Sequence, residues 1–187
     1  MKSLSLSIPL LVAAAPAPAP APAPVLETRW TQAAARAYVA SPDKAKGKRQ
    51  LPEIRVYDAG NRLVLRSFGL EAGKVGASIL QAIRRRTPVR GPSLAETMAE
   101  LETRDGRPAL GQAEGRAKVT IVDYWAEWCA PCKALGAELG AWAARQPAGY
   151  VRIVRAETDI IAAERAAGRK VLHFVKGPDG KLTKVDD

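Results

Sequence analysis

A buried strand that runs directly into two cysteines and then into a helix constrains this chain more than any other feature. The run AKVTIVDYWA, residues 117–126, is β-branched and apolar, which is typical of a strand buried in the middle of a sheet. The run PCKALGAELGAWAAR, residues 131–145, has the spacing of a helix and begins with a proline, which the first turn tolerates. The two cysteines of the chain, Cys129 and Cys132, lie where the strand turns into the helix. The apolar residues expected to face inward from the helix are Leu135, Leu139 and Trp142.

This placement gives the two cysteines different chemistry. The thiolate is the reactive form of cysteine, and the unpaired amides at a helix N-terminus stabilise a nearby anion. Cys129 lies at the mouth of the helix, whereas Cys132 lies one turn deeper. We therefore expect Cys129 to attack the disulfide of a partner and Cys132 to resolve the mixed disulfide that forms.

Two other uses of the cysteine pair are left open. A zinc site needs four ligands, and the only further candidate of soft type is the single histidine, His173, so zinc would have to bind between two copies of the chain. A purely structural disulfide is the second alternative, although a loop of two residues restrains little of the unfolded chain. His173 alternates with apolar neighbours in VLHFV and is interpreted as a strand residue.

The segment VDYWAEWCAPCK, residues 122–133, resembles the active-site segment of thioredoxins nearly residue for residue, with Ala130 where glycine is usual. The resemblance implies an α/β, thioredoxin-like fold, in which helices flank a central mixed β-sheet. It also implies thiol-disulfide exchange with protein substrates, without a metal or organic cofactor, through a redox-active disulfide between Cys129 and Cys132.

The same resemblance implies roles for the residues around the thiols. Asp123 would be a buried acid that helps to deprotonate Cys132; the alternative is a partly hydrated acid without a role. Pro131 would set the redox potential, and Trp125 would pack beneath the site. The residues implied to meet the substrate are Trp128, Ala130 and Pro131, and those implied to support the site are Trp125, Lys133 and Pro52.

The resemblance extends over residues 117–185, with two departures. The runs at 149–159, 159–168 and 170–185 predict a strand, a helix and a hairpin, which is the thioredoxin order. Thioredoxins have a cis-proline just before the first strand of that hairpin, and residues 169–171 contain none. The final helix of the family is missing as well.

The N-terminal half offers a second segment of the same kind. Residues 51–86 predict a strand, a tight turn at 59–61, a second strand and an amphipathic helix, with Pro52 in the place of the family's proline. Residues 28–40 predict a preceding helix. The inward residues of the helix within 51–86 are expected to be Val75, Ile79, Leu80 and Ile83.

Three interpretations of this segment are open. Residues 28–90 form a degenerate half-domain that packs against the C-terminal unit, or their helix replaces the missing one in a permuted arrangement. The third is that they are an unrelated ββα segment.

The first 27 residues predict export. Residues 1–14 combine Lys2 with an apolar run and small residues, which is typical of a signal peptide. The run is shorter than an ordinary transmembrane helix, and an uncleaved anchor or a buried helix is the alternative. Residues 15–27 are mostly an Ala-Pro alternation, which favours an extended linker. The folded part is therefore expected outside the cytoplasm, in the periplasm of a bacterial source, where disulfide chemistry is available.

The formal net charge is +10, with clusters at 43–49 and 82–90. Because these basic residues are not interleaved with aromatic ones and the chain is expected to be exported, nucleic acid is not an expected partner. A solvated face, or weak attraction to an anionic membrane surface or to acidic partners, is the preferred interpretation.

These observations predict five regions: a signal peptide (1–14), an Ala-Pro linker (15–27), an accessory α-ββα segment (28–90), a helix with a linker (91–116) and a thioredoxin-like catalytic unit (117–187). Because Ala130 and Pro131 resemble the residues between the cysteines of reducing members, the predicted function is that of an envelope disulfide reductase recharged by a membrane electron donor. A redox-inert or redox-gated binding module, and a disulfide oxidase or isomerase, are the alternatives.

Overall fold

The structure is a computed structural model that describes residues 24–41, 51–112, 117–158, 163–165, 168, 173–176 and 182–185. Its centre is a six-stranded mixed sheet in the order β3-β2-β5-β6-β1-β4. The strands of the sheet are β1 (Val25–Trp30), β2 (Glu53–Asp58), β3 (Leu63–Phe68), β4 (Leu101–Thr103), β5 (Val119–Trp125) and β6 (Val151–Glu157). The helices are α1 (Gln32–Ala40), α2 (Val75–Arg85), α3 (Leu94–Ala99) and α4 (Ala130–Ala143).

Strand β5 lies inside the sheet and ends at the cysteines. It pairs parallel with β6 on one side and antiparallel with β2 on the other. Six of its seven residues are buried, as expected for a strand that is covered on both faces. The apolar pattern of residues 117–126 therefore predicted this strand correctly.

Helices cover both faces of the sheet. On one face, α2 and α4 pack over a core in which Ile54, Ile121 and Ile153 are buried. On the other face, α1 and α3 contribute to a second core with buried Tyr57 and Tyr124. The two layers of helices leave the ends of the sheet open, and the cysteines lie at one of those ends. None of the helices in the described ranges is long and apolar enough to cross a membrane.

The predicted helix faces are confirmed. In α4, Leu135, Leu139 and Trp142 are buried. In α2, Val75 and Ile79 are fully buried, and Leu80 and Ile83 are partly buried against the same core. Apolar spacing at 3.6 residues per turn was thus sufficient to orient both helices.

Strands β1 and β4 were not predicted. Residues 28–40 contain a helix only from Gln32, because Thr31 accepts a hydrogen bond from the amide of Ala34 and caps it there. The preceding residues, including 25–27 of the expected linker, form β1 and pair parallel with β6. The helix expected within 91–116 spans Leu94–Ala99, and Leu101–Thr103 pair with β1 as β4.

The N-terminal half belongs to the same sheet as the cysteine motif. Strands β1 to β4 all come from residues before 104, and β2 pairs with β5 along its whole length. Helix α2 packs beside α4, where Gly76 meets Trp142. The hairpin and the helix of the segment expected to be accessory therefore form part of this sheet and of the layer that covers it.

The second predicted hairpin forms but lies outside this sheet. Strands β7 (His173–Lys176) and β8 (Leu182–Val185) pair antiparallel as a separate two-stranded sheet. The turn expected at 178–180 and most of the helix expected at 159–168 lie outside the described residues, apart from a helical piece at 163–165.

Candidate redox site

The two cysteines form a disulfide at the N-terminus of α4. The Cα atoms of Cys129 and Cys132 are 5.3 Å apart, and the two sulfur atoms are bonded. Cys129 is the N-cap of the helix, and its sulfur accepts a hydrogen bond from the amide of Cys132 at 3.3 Å. A capping residue faces the unpaired amides of the first turn, so a thiolate on Cys129 would take the place of the usual capping oxygen.

The two sulfur-bearing residues differ in their access to solvent. Cys132 is fully buried, whereas Cys129 keeps 4% of its surface exposed. Around it lies an open rim, in which Trp128 is 43% exposed and Ala130 and Pro131 are exposed as well. Of the two cysteines, Cys129 is therefore the one that a partner can reach. Lys133 is exposed on the first turns of α4.

A proline from the N-terminal half lies beside this disulfide. In the β2–β5 register Glu53 lies opposite Tyr124, which places Pro52 near Trp125 at the end of β5. Leu51 packs against the cluster of Ala126, Cys129 and Cys132, and the Leu51–Pro52 peptide bond is cis. Pro52, which the resemblance implies as a supporting residue, lies between Leu51 and the start of β2. Residues 169–171, where the sequence lacks the proline of the family, lie outside the described residues.

Buried charges hold the beginning of β2 next to the site. The Oε1 atom of Glu53 accepts hydrogen bonds from Nε of Arg55 at 2.8 Å and from Nε of Arg66 at 2.9 Å. The guanidinium of Arg55 also lies 4.6 Å from the ring centre of Tyr124 on β5. Such a buried ion cluster adds little net stability, but its directional bonds fix the position of the strand.

Asp123 lies beneath the first turns of α4. Its side chain is fully buried, and a Cβ atom placed on Gly136 would be 3.6 Å from its Oδ2 atom. Gly136 follows Cys132 by one helical turn, so the two residues share the face of α4 that covers Asp123. The structure therefore places the acid on the inner, Cys132 side of the disulfide.

Burial raises the pKa of Asp123 to about 6. The principal cause is the loss of hydration, and the positive charge of Arg155 opposes it only in part. Arg155 Nε is 3.5 Å from Asp123 Oδ2, which is an ion-pair distance but too long for a good hydrogen bond. Neither carboxylate oxygen accepts a hydrogen bond from a described residue. The acid can therefore change its charge near neutral pH.

Sequence reasoning missed Arg155 and Gly136. Arg155 lies on β6 directly opposite Asp123, and its guanidinium covers the Trp125 ring at 4.2 Å from the ring centre. Gly136 leaves room for that guanidinium, because an added Cβ atom would lie 3.2 Å from its Nη2 atom. A glycine in the middle of an otherwise good helix was the available signal for a close approach.

The zinc alternative finds no support in the described part of the chain. There, no group of three or more His, Cys, Asp or Glu side chains is arranged to hold a metal ion. His173 lies in β7, and its side chain is outside the described set.

Comparisons with known proteins agree with this geometry. The sequence model of the thioredoxin family, described as "Thioredoxin", matches residues 111–174. A thioredoxin of Mycoplasma pneumoniae is 33% identical over 73 residues, which cover 37% of this chain and 72% of that protein. No solved structure gives a significant match.

The mixed sheet and the disulfide at the start of α4 define a thiol-disulfide oxidoreductase with a thioredoxin-like fold. The chain belongs to the thioredoxin family. The match begins after β4, so it includes the cysteines but excludes the β2–β3 hairpin and helix α2.

Proposed function

We propose that this protein is a disulfide reductase of the cell envelope. The Cys129 thiolate attacks one sulfur of a substrate disulfide, forms a mixed disulfide and releases the other substrate sulfur as a thiol. Cys132, as the thiolate, then attacks the Cys129 sulfur and releases the second substrate thiol. The substrate gains two electrons and two protons, and the protein ends with the Cys129–Cys132 disulfide.

The observation that carries this proposal is a disulfide with one accessible side above a buried acid. Cys129 is the residue of the pair that reaches the surface, which suits it to nucleophilic attack. Cys132 is fully buried, which suits it to attack within the molecule. Asp123 lies on that inner side and, above its pKa of about 6, is a carboxylate that can accept the Cys132 proton.

The reducing direction rests on the residues between the cysteines. Ala130 and Pro131 resemble those of reducing members, whereas oxidising members usually carry histidine in this interval. A reductase must be recharged after each cycle, so we propose a membrane electron donor that supplies two electrons through its own dithiol. The export signal predicted in residues 1–14 supports the envelope as the compartment.

The first test is the reduction potential of the Cys129–Cys132 pair. The protein is equilibrated in glutathione or dithiothreitol buffers, and the free thiols are counted after alkylation. We expect a value near that of thioredoxin, about −270 mV. A value of about −120 to −180 mV would assign an oxidase or isomerase instead. A disulfide that does not form reversibly would favour the binding module.

Replacement of the cysteines separates the two chemical steps. We expect Cys129→Ser to lose insulin reduction in the presence of dithiothreitol down to the uncatalysed rate. Cys132→Ser should instead accumulate a mixed disulfide with the substrate through Cys129, because the resolving thiol is absent. Insulin reduction that survives in Cys129→Ser would contradict the assignment of the nucleophile.

A further inference from the structure

The two ends of the sheet carry different charges. At the end opposite the disulfide, β5 and β6 begin, and α2 and α4 end. Val89, which follows α2, donates its amide hydrogen bond to Leu63 at the start of β3, so that loop lies at the same end. We call this the arginine-rich end; its exposed cationic residues are Arg84, Arg85, Arg86, Arg90, Lys118 and Arg145.

None of these six side chains forms an ion pair with another residue in the described ranges. Among the described residues, three carboxylates lie toward this end, and each already has a partner. Asp58 pairs with Arg62, Asp105 pairs with Arg107, and Glu96 closes a capping box with Ser93. Their charges therefore leave the six cations largely unbalanced.

The disulfide end is balanced by comparison. Arg29 pairs with Glu102 at 2.8 Å, and Lys133 is an exposed cation on the first turns of α4. Glu127, next to the cysteines, is exposed. The unbalanced positive charge is thus concentrated on the side of the molecule that faces away from the redox site.

Two further features of the arginine-rich end point to a lipid surface. Val89 is 40% exposed next to Arg90, and Val25 is 49% exposed at the start of β1. Because β1 begins at this end, the Ala-Pro linker that precedes it in the sequence is joined to the fold there. Exposed apolar side chains among arginines fit an anionic bilayer better than they fit a nucleic acid.

We propose that the arginine-rich end docks on an anionic membrane surface and holds the disulfide away from it. Strand β5 has seven residues, so at about 3.3 Å per residue the two ends are roughly 23 Å apart. The Cys129 side would then point into the aqueous space and remain free to meet protein partners. The proposal is independent of the direction of the redox reaction.

The test compares vesicle binding by the full chain and two variants. The vesicles are pure phosphatidylcholine or phosphatidylcholine mixed with phosphatidylglycerol, at low and at physiological salt. The first variant is Arg84→Gln/Arg85→Gln/Arg90→Gln, and the matched control, Arg29→Gln/Arg36→Gln/Lys74→Gln, removes the same charge elsewhere. Dividing the partition coefficient for mixed vesicles by that for neutral vesicles isolates the contribution of the anionic lipid.

We expect this ratio to be well above one and to fall as salt screens the charges. The first variant should lower it by roughly fivefold for each arginine removed, whereas the control should change it little. Equal losses in both variants, or a ratio near one for the unmodified chain, would overturn the proposal. Tighter binding to a DNA duplex that displaces the vesicles at physiological salt would assign the surface to nucleic acid instead.

A second readout tests the orientation. If the arginine-rich end faces the bilayer, dithiothreitol should reduce the Cys129–Cys132 disulfide at the same rate with and without the mixed vesicles. Protection of the disulfide by bound vesicles would show that the disulfide end faces the lipid. Because this rate needs no protein substrate, it stays informative even if the proposed reductase activity fails.

Discussion

The two halves of the sheet contribute different things to the redox site. Residues 119–157 supply both cysteines, the buried acid and Arg155, and they lie within the family match. Residues 25–103 supply no redox group, yet they provide Pro52, the strand paired with β5 and the helix beside α4. The chemistry is therefore local in sequence, whereas the environment that shapes it comes from elsewhere in the chain.

Helices α2 and α4 join the two halves, so a substitution at their contact tests whether the fold depends on both. Gly76 on α2 lies against the buried ring of Trp142 on α4, and an added Cβ atom would be 2.6 Å from Trp142 Nε1. We expect Gly76→Ala to lower the free energy of unfolding by about 3 kcal/mol, because the buried Trp142 ring would have to shift to admit the added methyl group. Urea denaturation of the oxidised protein measures this loss.

Gly140→Ala is the matched control for that variant. Gly140 is exposed within α4, and an added Cβ atom would meet nothing within 4 Å. Alanine is the better helix former, so we expect Gly140→Ala to raise the free energy of unfolding by about 0.5–1 kcal/mol. If both variants change stability in the same direction, the Gly76–Trp142 contact does not join the halves as described.

The buried carboxyl group of Asp123, in the C-terminal half, makes the stability of the protein depend on pH. The pKa of Asp123 is raised to about 6 in the folded protein, whereas an unfolded aspartate titrates near 3.9. The folded state therefore holds the proton more tightly, and its stability falls as pH rises from about 4 to about 6. The difference in pKa corresponds to about 3 kcal/mol at most.

Asp123→Asn removes this titration. We expect the variant to be about 2 kcal/mol more stable than the unmodified protein at pH 7, and the advantage to disappear below about pH 4. The value is less than the maximum because the amide is also buried and no longer attracts Arg155. Thermal unfolding of the oxidised proteins across this pH range checks it, and a pH-independent difference would contradict the assignment.

Arg155 shifts the pKa of Asp123 in the direction opposite to burial, and by a smaller amount. The positive charge of Arg155 opposes the effect of burial, so Arg155→Met should raise the pKa of Asp123. The free energy of ionising Asp123 should change by an amount on the order of 1 kcal/mol. Carbon-13 NMR titration of the carboxyl group measures the shift directly. Arg155→Lys should restore most of the original value, and a packing role alone would not produce that rescue.

The sequence correctly predicted the elements whose structure depends on residues close together in the chain. The strand, the cysteine pair and helix α4 follow one another without interruption, so apolar spacing and a capping position were sufficient to place them. Strand β4 was missed because it has only three residues. Strand β1 was missed because charged residues and the end of the Ala-Pro run hide its pattern, and its partner β6 lies far along the chain.

Local sequence pattern also could not show which of the two hairpins pairs with β5, because both have alternating residues around a turn. In the structure β2 takes that edge and β6 takes the other, so β7 and β8 pair only with each other among the described strands. The opposition of Arg155 and Asp123 was hidden for the same reason, because it arises only when β5 and β6 pair in register.

The order of strands also determines when the sheet can form during synthesis. Its first four strands leave the ribosome before the two strands, β5 and β6, that lie between them. The hairpin of β2 and β3 lacks the strand that covers its inner edge until residue 125 has emerged, and β1 lacks its parallel partner until residue 157 has emerged. Such high contact order slows folding and keeps the nascent chain open. A chain that completes its core last remains in an unfolded form for most of its synthesis.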